Sequence, residues 1–332
     1  MTDWGQTHLI TMRIHYLLCA ALVWLAASCS GGQREQGHAV TGDTLTGKIQ
    51  ISGAFALYPL AVRWADEFRQ LHPNVKIDIS GGGAGKGMTD VLSQMVDIGM
   101  VSREVYPEER AKGALAIAVV KDAVVPTVNV NNPLYGELRK KGLSLKAAQD
   151  LWSGKYATWG QLLGTASDVP VHVFTRSDAC GAAETFAAWL GKRQEDLKGT
   201  AVFGDPGVAS AIQKDRVGIG FNNIAYVYDQ KTQQPYEGLA VIPIDLDGNG
   251  RITADEDFYA TSKRLTQAIK AGKFPSPPAR DLYMVTKSKP GANTALAAFL
   301  RYVLTEGQKY AEETGYISLQ KDQLGQELKK LN

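Results

Sequence analysis

Apolar residues recur with two different periods along the chain. Lys48 to Ser52 alternates apolar and polar positions and reads as a strand. Leu57 to Leu71 places Leu60, Trp64, Phe68 and Leu71 at spacings of three to four, the mark of an amphipathic helix that His72-Pro73 stops. Val75 to Ile79 alternates again, a Gly-rich run Ser80 to Gly87 follows, and Met88 to Met95 and Val96 to Val101 read as helix and strand. The order β-α-β-α-β predicts a doubly wound α/β sheet.

Ala114 to Val130 is apolar except at Lys121-Asp122 and Pro126, and is too long for one ordinary strand. A strand pair, or a strand crossing between domains, fits it. A second α/β unit follows, with helices over Leu145 to Leu151 and Trp159 to Leu163, a strand over Val169 to Phe174 and a helix over Ala183 to Leu190. Gly218 to Phe221, Leu239 to Ile244 and Asp281 to Thr286 read as further strands, and Thr294 to Leu304 and Gly307 to Thr314 as closing helices.

The N-terminus breaks the pattern. Arg13 precedes a nearly unbroken apolar run from Ile14 to Ser28, which reads as a signal segment over 1–28 and is short for a membrane span. The small residues running into Cys29 predict lipidation there, with 29–47 as a polar tether and the membrane reached through the lipid. Cys19 leaves with the signal, so Cys180 stands alone and the mature chain has no internal disulfide. A formal net charge of +2 over 332 residues, with no basic stripe, argues against nucleic acid as a partner.

Chemistry concentrates in three turns of small residues, each opening a helical stretch: Ser52 to Ala56, Ser80 to Gly87, and Asp178 to Ala182. A helix start leaves N–H groups unpartnered and carries partial positive charge, and small residues let an anion approach. The candidate anion ligands are Ala54, Phe55, Ala84, Gly85, Cys180, Gly181 and Ala182, with Lys86, Arg103 and Arg176 supplying charge. Asp178 is the candidate acceptor for a proton on the anion, and Ser102 fits either role. The run around Lys86 fails the P-loop pattern at both ends, with Ser80 for the first Gly and Gly87 after the Lys.

Asp245 to Glu256 satisfies the EF-hand loop pattern, with oxygen-bearing residues at positions 1, 3, 5, 9 and 12 and Gly250 at the sharp turn. It predicts one structural calcium held by Asp245, Asp247, Asn249, the Arg251 carbonyl, Thr253 and Glu256.

Ile51-Ser52-Gly53 to Tyr58-Pro59-Leu60-Ala61, Ser80 to Gly87 with Val96 to Arg103, Arg176 to Phe186, and Gly218 to Phe221 together resemble the phosphate-binding proteins of ABC importers, the PstS type. The resemblance runs from about Lys48 to the C-terminus and rests on the order and spacing of the motifs. It implies a type II periplasmic-binding-protein fold: two doubly wound α/β domains with a ligand cleft between them. The expected boundaries are 48–125 with 275–332 for the first domain and 126–274 for the second. It also implies an extracytoplasmic, monomeric solute-binding protein, not an enzyme, that takes phosphate or another oxyanion to an ABC permease and ATPase. The departures fall on the turns. Ala54, Phe55, Ala56, Ala84, Lys86, Cys180 and Ala182 stand where the family commonly has hydroxyl-bearing residues. Two readings stay open: main-chain amides with Lys and Arg hold the anion, or the fold serves an envelope sensor or surface protein with a different ligand. A hydrolase using Cys180 is a third class.

Overall fold

Residues 45–291 and 294–332 are described by a computed structural model. The signal segment 1–28, Cys29 and most of the tether 29–47 lie outside the described residues. Among the described residues no helix is long and apolar enough to cross a membrane.

Alternation and period-four spacing yield the elements they predict at the start of the chain. Strand β1 (Gly47–Gly53) buries Ile49 and Ile51, and the helix Tyr58–Leu71 turns Leu60, Trp64 and Phe68 inward. Strands β2 (Val75–Gly81) and β3 (Ile98–Val101) flank β1 in parallel, as a doubly wound sheet requires. The remaining strands are β4 (Ala114–Asn129), β5 (Leu143–Ser144), β6 (His172–Arg176), β7 (Thr200–Val202), β8 (Gly218–Asn223), β9 (Leu239–Val241), β10 (Ile244–Asp245), β11 (Ala279–Lys287) and β12 (Ile317–Ser318). One sheet runs β2-β1-β3-β11-β4-β8-β6-β7, with β9 and β12 also paired to β4, while β5 and β10 form a separate parallel pair.

The long apolar run is a single strand. Its 16 residues exceed the usual strand length because β4 serves two cores in succession. Ile117, Val119 and Val120 pack in the first lobe with Trp64, Phe68, Met284 and Phe299. Val124 and Val128 pack in the second with Trp152, Trp159, Phe186 and Phe221, and Ala123 and Val125 join Tyr228, Tyr259 and Phe274. The Lys121-Asp122 interruption marks the waist between these cores. There β11 runs antiparallel to β4 and sets Arg280 opposite Asp122 and Asp281 opposite Lys121. The first ion pair is buried, with Arg280 Nε donating to Asp122 Oδ1 at 2.9 Å.

Several boundaries differ from the sequence expectation. The second helix begins at Gly83 and ends at Leu92, so most of the Gly-rich run is its first turn rather than a loop. The Leu239 to Ile244 strand is two short strands, β9 and β10, separated at Ile242 and Pro243. The helices Gly204–Lys214, Ser262–Lys270 and Lys321–Lys329 and the strand β7 lie where the sequence reading places no element.

Candidate anion-binding site

The three turns meet at the seam between the lobes. Ala54 N donates to Met100 O at 2.8 Å, which lays the first turn against the end of β3. Gly85 N donates across the seam to Ala179 O at 3.2 Å, joining the helix Gly83–Leu92 to the third turn. The helix Gly181–Trp189 starts directly against Ser102. A Cβ on Gly181 would lie 2.0 Å from the Ser102 carbonyl oxygen and 2.4 Å from its hydroxyl. Gly83 has φ +84°, open to glycine, and a Cβ there would lie 2.9 Å from Asp178 Oδ2.

Not every candidate amide faces an open acceptor position. Those of Ala54 and Gly85 are taken as described, and Cys180 N donates to Gln194 Oε1 at 3.2 Å. Among the described residues the amides of Phe55, Ala84, Gly181 and Ala182 have no acceptor. These are helix-start donors of the kind an anion satisfies. Cys180 is the N-cap of its helix: its sulfur accepts from Ala183 N at 3.4 Å, the task a Ser or Thr hydroxyl performs elsewhere. Burial pushes its pKa to about 12, so it is a thiol and a poor nucleophile.

Each candidate cation already has carboxylate partners. Arg176, 5% exposed, donates to both oxygens of Asp178 at 2.8 and 2.6 Å and to Asp205 Oδ2 at 2.6 Å. The formal charge of this trio is negative, so Arg176 is a structural clamp rather than an open cation. Burial would raise the pKa of Asp178, but the hydrogen bonds and charge of Arg176 outweigh it and hold the carboxyl below the usual range. Lys86 pairs with Asp90, which also accepts from the Ser52 hydroxyl at 2.7 Å. Arg103 turns away from the turns. It grips Glu109 through two hydrogen bonds of 2.9 and 2.7 Å, lies over the Tyr106 ring at 4.1 Å and reaches Glu184 of the second lobe at 3.3 Å. It thereby lines a separate cavity of about 780 Å³ with Tyr106, Lys121, Glu184 and Arg280.

Sequence reasoning missed a fourth turn and an aromatic plug. Gly204-Asp205-Pro206 opens the helix Gly204–Lys214, and Gly204 N donates to Asp178 Oδ1 at 3.1 Å. Proline in the first helical turn after a glycine was the available signal. The ring of Phe55 lies against Gly81 of the first lobe and Gly204 of the second, and meets Phe203 edge-on with centroids 5.8 Å apart. Tyr226 fixes its backbone by donating to Phe55 O at 2.9 Å. The acidic loop 245–256 shares no residue with these turns.

The family model described as "PBP superfamily domain" matches residues 38–306, and the chain belongs to that family. The chain is 25% identical to the phosphate-binding protein PstS of Xylella fastidiosa strain Temecula1 over 93% of this chain and 95% of the relative. It is 24% identical to the protein of that name from Staphylococcus aureus strain USA300, over 89% and 84%. Among solved structures, an ABC-type phosphate transport receptor from Vibrio cholerae superposes with TM-score 0.58 at 18% identity, covering 82% of this chain and all of that one. A phosphate binding protein from Stenotrophomonas maltophilia superposes with TM-score 0.60 at 13% identity, covering 86% and 94%. The two-lobed α/β architecture expected from the sequence is the one these neighbours share.

The Arg176 clamp generates a stability prediction. Asp205→Ala takes one of the three hydrogen bonds from a buried guanidinium and strips both the backbone and side-chain N–H of Asn223 of their acceptor. Urea unfolding of that variant is expected to show a loss of about 3–5 kcal/mol.

Proposed function

We propose that this chain is an extracytoplasmic binding protein that captures phosphate at the lobe seam and delivers it to an ABC permease and its ATPase. The observation that carries the reading is the set of unpartnered helix-start amides at Phe55, Ala84, Gly181 and Ala182, which belong to turns that glycines let approach closely. Hydrogen bonds from neutral donors to a charged group contribute about 1.5–3 kcal/mol each, enough for a few amides to replace lost hydroxyls. Lys86, the most exposed of the three cations, is the one that rotates to the seam at least cost. Asp178 supplies selectivity. An ionised carboxylate accepts the proton of hydrogen phosphate and repels sulfate, which has none to give. No bond is made or broken, and closure of the lobes removes the ion from water.

Calorimetry on the mature chain tests this. Phosphate is expected to bind with sulfate at least about a hundredfold weaker. Absence of heat with phosphate, sulfate and tungstate alike would favour the sensor reading of the same fold. Gly181→Ala drives a methyl into Ser102 and is expected to weaken phosphate at least about tenfold while leaving the helix intact. Asp178→Asn removes the charge and also sets an amide donor against one N–H of Arg176, and the phosphate-to-sulfate ratio is expected to fall by about tenfold or more.

The same proposal places the protein at the membrane through Cys29. Intact-mass measurement of the membrane-extracted protein is expected to find acyl chains on Cys29, and Cys29→Ser to release the chain in unmodified form.

A further inference from the structure

We infer that the loop 245–256 binds one calcium ion and that the ion rivets the second lobe together at a place remote in sequence from the anion turns. The structure brings Asp245, Asp247 and Glu256 together so that one carboxylate oxygen from each lies within 4.8 Å of the others. Three negative charges at that spacing repel one another unless a cation sits among them. A second observation points the same way. Asp245 is only 4% exposed, and its Oδ1 has no hydrogen-bond partner among the described residues. A buried carboxylate oxygen left bare is costly, and a metal ion relieves it.

The rest of the loop is arranged around this group. Asp245 Oδ2 accepts from Gly250 N at 2.9 Å, and Asn249 Oδ1 from Arg251 N at 2.8 Å. Glu256 accepts from Leu246 N at 2.7 Å through one oxygen and from Thr253 N at 2.9 Å through the other. Asp247, Asn249 and Arg251 are exposed residues, and Asp247 accepts from Asn249 N at 3.0 Å and from its Nδ2 at 2.8 Å. An all-oxygen set suits calcium over the smaller magnesium, which demands stricter geometry and keeps its water.

What the loop joins gives the ion its role. Asp245 ends β10, which pairs with β5. Ile252 N donates to Lys140 O at 2.8 Å, tying the loop to the end of the helix Tyr135–Lys141, and a Cβ on Gly142 would lie 2.3 Å from Ile252 Cδ1. On the other flank Ile244 N donates to the Tyr259 hydroxyl at 3.1 Å, and Tyr259 O accepts from Tyr228 at 2.7 Å. The ion therefore fastens three segments: the connection into β5, the end of β10, and the Phe258-Tyr259 aromatic layer.

The test uses the mature chain stripped with EDTA. Calcium titration is expected to give one site per chain, and millimolar calcium to raise Tm by about 5 °C over EDTA. Magnesium is expected to bind at least about tenfold more weakly. Asp247→Ala, at an exposed ligand, is expected to fold in EDTA like the parent but to lose the calcium heat and the Tm rise. Phosphate affinity is expected to be unchanged by either. Absence of heat and of a Tm shift in the parent at millimolar calcium overturns the proposal. So does a calcium response that survives both Asp247→Ala and Glu256→Gln, or equal binding of magnesium. This result is independent of whether the seam binds phosphate.

Discussion

A chain of buried charges runs from the waist of the molecule to the candidate site, and both halves of the fold depend on its completeness. Asp122 on β4 pairs with Arg280 on β11. Arg280 in turn donates to Asn223 at the end of β8 and to Thr185 on the helix Gly181–Trp189. Asn223 donates to Asp205, Asp205 holds Arg176, and Arg176 holds Asp178. Taking such groups out of water costs several kcal/mol per ion, so each is tolerable only while its neighbours stay in place. The network thus fixes the third turn, the fourth turn and the crossing strands as one unit. It also explains why the arginine nearest the anion turns offers so little free charge.

That constraint clarifies how a site poor in hydroxyls is built. Main-chain amides need no side chain, but they need exact placement of the backbone. Placement comes from close approach: Gly181 on Ser102, Gly83 over Asp178, Gly85 on Ala179. Cys180 keeps the helix start capped with sulfur in place of oxygen.

Local features were legible in the sequence, and long-range compensation was not. The alternation of β1 and β2, the Leu60-Trp64-Phe68 face, the stopping signal at His72-Pro73 and the small-residue turns all follow from spacing, and all occur. The apolar run with Lys121-Asp122 in its middle allowed two readings, and the crossing strand is the one found. By contrast, nothing near Arg176 in sequence announces Asp205, 29 positions away, and nothing near Arg103 announces Glu184. Charges read singly look available, and only the fold reveals which are already paired. The Gly83 run is helical despite glycine's poor helix propensity, packed against Asp178 and Ala179, which spacing along the chain does not show.

Both connections at the waist, β4 and β11, belong to the same continuous sheet, hydrogen-bonded along their length. A relative rotation of the lobes therefore meets a paired ladder on either side of one irregular step, where Val119 is skipped between Leu282 and Tyr283. The regular rungs on both sides resist it, and the irregular step is where the pairing gives first. Such a joint behaves as a stiff ribbon creased at one point, with its resting angle set by the crease.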